Sequence, residues 1–142
     1  MIDSVVIATD GSESVERAID VALDLARRFN AEVHALYVVD TNEVKSSPES
    51  LRDDLETALE VQAEAALDGV DTRANGEVTT AVRTGRPAAE ITAYAREQDI
   101  DLVATGTRGR HGENQFLVGS VAERVVRSCS QPVLTVRQLE TA

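Results

Sequence analysis

A chain of 142 residues, 42% hydrophobic and 27% charged, is enough for one domain of ordinary size and too little for two. With 8 Gly, 3 Pro and a single Cys, it is neither collagen-like, disulfide-stapled nor a low-complexity disordered chain. Its 25 acidic residues against 14 basic ones give a formal charge of -11, which repels duplex nucleic acid and anionic membrane surfaces, so neither is an expected partner.

Residues 4–9, Ser4-Val5-Val6-Ile7-Ala8-Thr9, form a short β-branched run stopped by the turn Asp10-Gly11-Ser12, and predict a first strand. From Val15, the residues Ala18, Ile19, Ala22, Leu23, Leu25, Ala26 and Phe29 recur at helical spacing, with Glu13 and Glu16 near the positive end of the helix dipole. Asn30 suits the stop of that helix, and residues 31–39 read as a second buried strand. Residues 40–50 read as a polar loop. A helix over 51–67 follows, with Leu51, Leu55, Ala58, Leu59, Ala63, Ala66 and Leu67 on one side and an acidic solvated face. Residues 78–82 read as a strand, Thr84-Gly85-Arg86-Pro87 as a turn with Pro87 at a first helical position, and 88–97 as a helix. A strand over 102–105 ends in a Gly-rich loop, a helix spans about 120–128, and a strand over 132–136 closes the set, leaving 138–142 loose.

Five strands alternating with four helices predict an α/β class: an open five-stranded parallel sheet, apolar along its strands, with helices on both faces and right-handed crossovers. No internal repeat, linker or low-complexity segment divides the chain, so residues 1–142 are expected to form a single domain. No apolar run approaches the ~20 residues needed to span a bilayer, and Met1-Ile2-Asp3 leads straight into strand-like sequence, so the expected compartment is the cytoplasm. Cys129 is expected on a helix's apolar stripe as an inert, buried thiol. Of the 14 basic residues only Lys45 is a lysine, and aromatics are scarce; with the acidic surface this suggests a halophilic protein, an ordinary acidic cytosolic chain being the alternative.

In an open parallel sheet, ligands bind beyond the carboxyl ends of the strands, where the strand order reverses. Two loops are then informative: Thr9-Asp10-Gly11-Ser12, and Gly106-Thr107-Arg108-Gly109-Arg110-His111-Gly112 leading to Gly119-Ser120 at a helix start. The second loop has the makings of a phosphate cradle, since glycines admit backbone N–H groups close to an anion and a helix N-terminus favours negative charge. Residues 106–127 carry four Arg and two Glu, a local +2, which leaves -13 for the rest of the chain. A purely structural account stands beside this one: Ser120 with Glu123 forms a capping box, the glycines serve a turn, and Asp10 bonds nearby backbone N–H groups. Spacing does not separate the two. His111 in the loop has no evident acid or nucleophile partner, and His34 lies in a strand with no other ligand at metal spacing, so both are expected to be non-catalytic.

The order of elements, together with Gly106-x-x-Gly109, nine intervening residues and Gly119-Ser120, resembles the ATP-binding branch of the universal stress protein family over essentially the whole chain. The resemblance implies a Rossmann-like, adenine nucleotide alpha-hydrolase-like fold. It implies that Thr9 and Asp10 lie beside the nucleoside, Val38 against adenine, Gly106 and Gly109 along ribose and phosphates, and Gly119, Ser120 and Val121 at the phosphates, flanked by Thr105 and Ala122. Magnesium accompanies ATP in that family, with Asp10 its protein-side partner. A phosphate contact from Arg108 or Arg110 is an inference from charge alone, a solvated loop being the alternative.

The function so implied is a stress-response sensor or switch that binds an adenine nucleotide, ATP foremost, in a homodimer formed through the last strand, with the downstream protein partner unidentified. Two alternatives belong to other classes. One is a nucleotide-free dimeric interaction module. The other is an ATP hydrolase, slow at best, because the chain has neither a Gly-x4-Gly-Lys-Ser/Thr loop nor a dinucleotide Gly-x-Gly-x-x-Gly after its first strand.

Overall fold

The computed structural model describes residues 1–108 and 118–139. Their elements, in chain order, are β1 (Ser4–Ala8), α1 (Glu16–Phe29), β2 (Glu32–Asp40), α2 (Thr41–Lys45), α3 (Arg52–Arg73), β3 (Val78–Gly85), α4 (Pro87–Glu97), β4 (Leu102–Gly106), α5 (Ser120–Ser128) and β5 (Val133–Val136). All strand pairs are parallel and the sheet order is β3-β2-β1-β4-β5. The expected α/β class is therefore the observed one.

Side chains alternate across the strands, so each face of the sheet builds its own core. Val5, Ile7, Ala35, Tyr37, Val39 and Ala104 pack under α1 and α3, against Ala22, Leu23, Ala63 and Val70. Val6, Ala8, Leu36 and Val103 pack under α4 and α5, against Ile91, Tyr94 and Val125. Asn30 ends α1 in a left-handed conformation (φ 55°, ψ 43°), as its position in the sequence suggests.

The sequence reading needs several corrections. Residues 41–45, read as loop, form the short helix α2, which starts because the Asp40 side chain accepts a hydrogen bond from the Asn42 N–H. Helix α3 runs on to Arg73, since its buried stripe of Leu59, Ala63, Ala66, Leu67 and Val70 continues past residue 67. Leu51, Ala58 and Phe29, placed on apolar stripes, are exposed. Strand β3 is an edge strand whose residues alternate between half-buried and exposed, so it is not apolar throughout. It also continues through Thr84 and Gly85, which the sequence suggested as a turn. Helix α5 ends at Ser128, so Cys129 caps it in extended conformation; the thiol is half-buried, with Sγ 3.6 Å from the Thr92 hydroxyl. Finally, Gln138 is held and not loose: its side chain accepts a hydrogen bond from the Arg17 N–H at 2.9 Å.

Candidate functional site

Strands β1 and β4 are neighbours in register Val5–Leu102, Val6–Val103 and Ile7–Ala104, so Thr9-Asp10 and Thr105-Gly106 leave the sheet at the same end. From here the chain order runs outward in both directions, to β2 and β3 on one side and to β5 on the other. That reversal opens a crevice above the carboxyl ends of β1 and β4.

The first loop is closed by its own side chains. Thr9 is buried, its N–H donates to the Leu36 carbonyl at 3.0 Å, and its hydroxyl oxygen accepts from the Gly11 N–H at 3.1 Å. Asp10 Oδ1 accepts from the Ser12 N–H at 2.9 Å and from the Ser12 hydroxyl at 2.6 Å. These are the local turn bonds that the structural account of the sequence anticipated. Gly11 has φ 78°, and a Cβ on it would come within 3.1 Å of Ala66 Cβ, so the turn rests directly on α3. A 3-10 turn over Glu13–Val15 then leads into α1.

At β4, Thr105 is buried and its hydroxyl donates to the Gly106 carbonyl at 3.3 Å. A Cβ on Gly106 would lie 3.0 Å from the Ser14 carbonyl oxygen, so the bare glycine lets the 3-10 turn close down on the strand end. Packing alone therefore favours a glycine at this position.

The start of α5 belongs to the same end of the sheet, because the Gly119 N–H donates to the Thr107 carbonyl. Gly119 is the extended residue before the helix (φ -64°, ψ 159°), and among the described residues no side chain caps the first turn. The anticipated capping box is thus not formed. Ser120 lies inside the helix, and the Glu123 carboxylate instead meets Arg127 at 2.7 Å. An uncapped first turn keeps N–H donors and positive dipole for an anion. Next in sequence to Thr107, Arg108 carries a buried Nε with no hydrogen-bond partner among the described residues, a costly state that a bound anion would relieve. Val38 packs on the α4 and α5 face together with Ala8, and Ala122 is buried, whereas Ser120 and Val121 are exposed. Gly109, Arg110 and His111 lie outside the described residues. Among the described residues no group of three or more His, Cys, Asp or Glu could hold a metal ion, so Asp10 suits magnesium only where phosphate and water oxygens supply most of the coordination.

His34 is buried with Nδ1 2.7 Å from the Tyr94 hydroxyl. Burial lowers its pKa against a smaller opposing pull from Glu32. It is a satisfied core histidine, paired in the sheet with Val6 and packed against Tyr94 of α4, as its strand position suggested.

The model of the universal stress protein family matches residues 1–137. The chain belongs to the universal stress protein family. Universal stress protein MJ0531 of Methanocaldococcus jannaschii is 36% identical over 138 residues, covering 94% of this chain and 81% of that one. The universal stress protein UspA of Lactobacillus plantarum superposes with a TM-score of 0.79 at 27% identity, covering 96% and 98% of the two chains. The universal stress protein of Archaeoglobus fulgidus solved in complex with dAMP has a TM-score of 0.65 at 24% identity, covering 96% and 100%, which is a likeness of fold. The single-sheet universal stress protein fold thus extends over nearly the entire chain.

Of the residues that the sequence pointed to, Thr9, Asp10, Thr105, Gly106, Gly119 and Ser120 come to one end of the sheet, with Val38 two residues beyond Leu36 on the adjacent strand. What sequence reasoning missed is the clamp from Arg17 to Gln138. Nothing local signals it, since the partners lie 121 residues apart.

Proposed function

We propose that this universal stress protein binds an adenine nucleotide in the crevice above β1 and β4, with ATP and magnesium as the natural ligand, and acts as a stress-response sensor in a homodimer. The observation that carries this reading is the start of α5, whose cap residue Gly119 is tied to Thr107, the neighbour in sequence of Arg108, whose buried Nε has no partner among the described residues. Both are sources of positive potential in a chain whose overall charge is -11. The N–H groups of Ser120 and Val121 would receive phosphate oxygens, while Gly119, whose N–H is held by the Thr107 carbonyl, would let the phosphate approach the helix start. Val38 and Ala8 would supply apolar surface to the base, while Asp10, already fixed by Ser12, would offer its carboxylate to magnesium. Such a site binds and positions a triphosphate. Homodimerisation uses β5, the sheet edge that has β4 on one side only.

A nucleotide-free interaction module is the second reading. It is favoured by the fact that Thr9, Asp10 and Gly106 each have a complete structural role without a ligand. Calorimetric titration of nucleotide-stripped protein in molar potassium chloride separates the two, using magnesium ATP, ADP, AMP and dAMP. Micromolar or tighter binding near one site per chain is the expected result. Absence of heat for all four nucleotides, with no displacement of a fluorescent ATP analogue, would leave the interaction module. Gly109→Val is expected to abolish binding while the far-ultraviolet circular dichroism stays unchanged.

A further inference from the structure

We propose that the segment following β5 controls the nucleotide crevice through Gln138 and Arg17, a coupling that rests on the nucleotide reading above. Helix α1 begins without a side-chain cap, because the residue in that position is Val15. The preceding 3-10 turn takes the Glu16 N–H on the Glu13 carbonyl, whereas the Arg17 N–H finds its acceptor outside the helix. Gln138 Oε1 accepts the Arg17 N–H at 2.9 Å, and the Arg17 guanidinium donates to the Arg137 carbonyl at 3.0 Å. Arg17 donates both bonds, one from its backbone and one from its side chain, to adjacent residues of the same segment, so the chain leaving β5 is clamped to the start of α1.

That start is joined directly to the 3-10 turn Glu13–Val15, whose Ser14 carbonyl rests on Gly106. A Cβ there would stand 3.0 Å from that carbonyl, tighter than ordinary van der Waals contact, so a shift of the turn is felt at the end of β4. From there, Thr107 holds Gly119 and the start of α5. The path thus runs from Gln138 to Arg17, Ser14, Gly106, Thr107 and Gly119, each link being a hydrogen bond, a covalent connection or a close backbone contact. Gln138 is a positioning residue in this scheme. Because β5 is a sheet edge and Val136 is its last residue, any partner strand that pairs with this edge acts two residues from the clamp. Occupancy of the edge and occupancy of the crevice are then linked, and by reciprocity a bound nucleotide tightens the clamp.

The test compares wild type, Gln138→Ala and Gln138→Glu by hydrogen exchange of the nucleotide-free proteins and by calorimetric titration with magnesium ATP. In Gln138→Ala, exchange is expected to accelerate at the Arg17 amide and also at residues 105–107, and the ATP Kd to rise about fivefold, the scale of one lost capping bond. Gln138→Glu keeps an acceptor oxygen and is expected to restore both. Faster exchange confined to α1, or an unchanged Kd in a background that binds ATP, would overturn the coupling and leave the clamp a local fastening. If wild type binds no nucleotide, the nucleotide reading falls, and the exchange at residues 105–107 still decides whether the clamp reaches the crevice.

Discussion

The Tyr94 hydroxyl lies 2.7 Å from His34 Nδ1 and places one polar contact inside the otherwise apolar layer between α4 and the sheet. The Arg83 guanidinium stands 5.1 Å from the Tyr94 ring centroid and is itself paired with Glu97 and Glu90, so the contact is walled off by an ion cluster at the β3 edge. Burial lowers the His34 pKa from its ordinary 6.5, and Glu32 opposes this only in part. As pH falls, the unfolded chain therefore takes up this proton before the folded one does. The stability owed to neutral His34 is complete above pH 6.5 and is lost progressively as pH drops below it. Thermal melts from pH 7.5 to 5.5 are expected to fall more steeply for wild type than for His34→Gln. Parallel slopes would show that the imidazole does not titrate between the two states.

Asp10 offers a different separation. Its Oδ1 accepts two bonds from Ser12, so Asp10→Ala should destabilise the fold by ~1–2 kcal/mol whatever the ligand does. Asp10→Asn keeps an acceptor and should recover most of that loss. If Asp10 also serves magnesium, Asn will regain stability in chemical denaturation but not the magnesium dependence of ATP binding.

At Gly106 the expected cost is steric. A Cβ would meet the Ser14 carbonyl at 3.0 Å, so Gly106→Val should cost ~1–3 kcal/mol and displace the 3-10 turn even without nucleotide. Gly106→Ala should do the same more mildly. A melting temperature unchanged in Gly106→Val would mean that the turn does not bear on the strand end.

Sedimentation equilibrium in molar potassium chloride should return twice the chain mass at micromolar concentration. Val133→Glu, which places a charge on the half-buried β5 edge, should shift the equilibrium towards the monomer. A monomeric wild type would remove the dimer from the proposed function.

The formal charge of -11, with one lysine among 14 basic residues, leads to a further expectation. The melting temperature should rise as potassium chloride increases from low concentration to the molar range, because screening relieves self-repulsion. A flat profile would identify an ordinary acidic protein.

The main elements were legible in the sequence because each is written in a local period. β-branched runs mark the four buried or partly buried strands β1, β2, β4 and β5, and the 3.6-residue spacing of Ala18, Ile19, Ala22, Leu23 and Ala26 marks α1. What escaped has no such period. Helix α2 is held by the Asp40 side chain and packs only the partly buried Val44 on the core, so no apolar stripe announces it. Strand β3 carries Thr79, Thr80 and Thr84 because it lies at an edge, and its full length follows from pairing with β2. In the crevice, the residue types and their common end of the sheet were readable from motif and strand order. The role of Gly106 against Ser14 was not, since a contact between residues more than ninety positions apart exists only in the folded chain.

The close approach of Gly11 to Ala66 binds together the histories of two distant positions. A side chain larger than alanine at 66 would strike the β1 turn, and any residue but glycine at 11 would be both strained at φ 78° and obstructed. Neither site can enlarge alone, so among descendants of this chain the two should vary as a pair. A substitution at residue 66 that the protein tolerates should be accompanied by a re-routed turn ahead of α1, and comparing such chains would date changes in the crevice mouth by changes on the helix on which it rests.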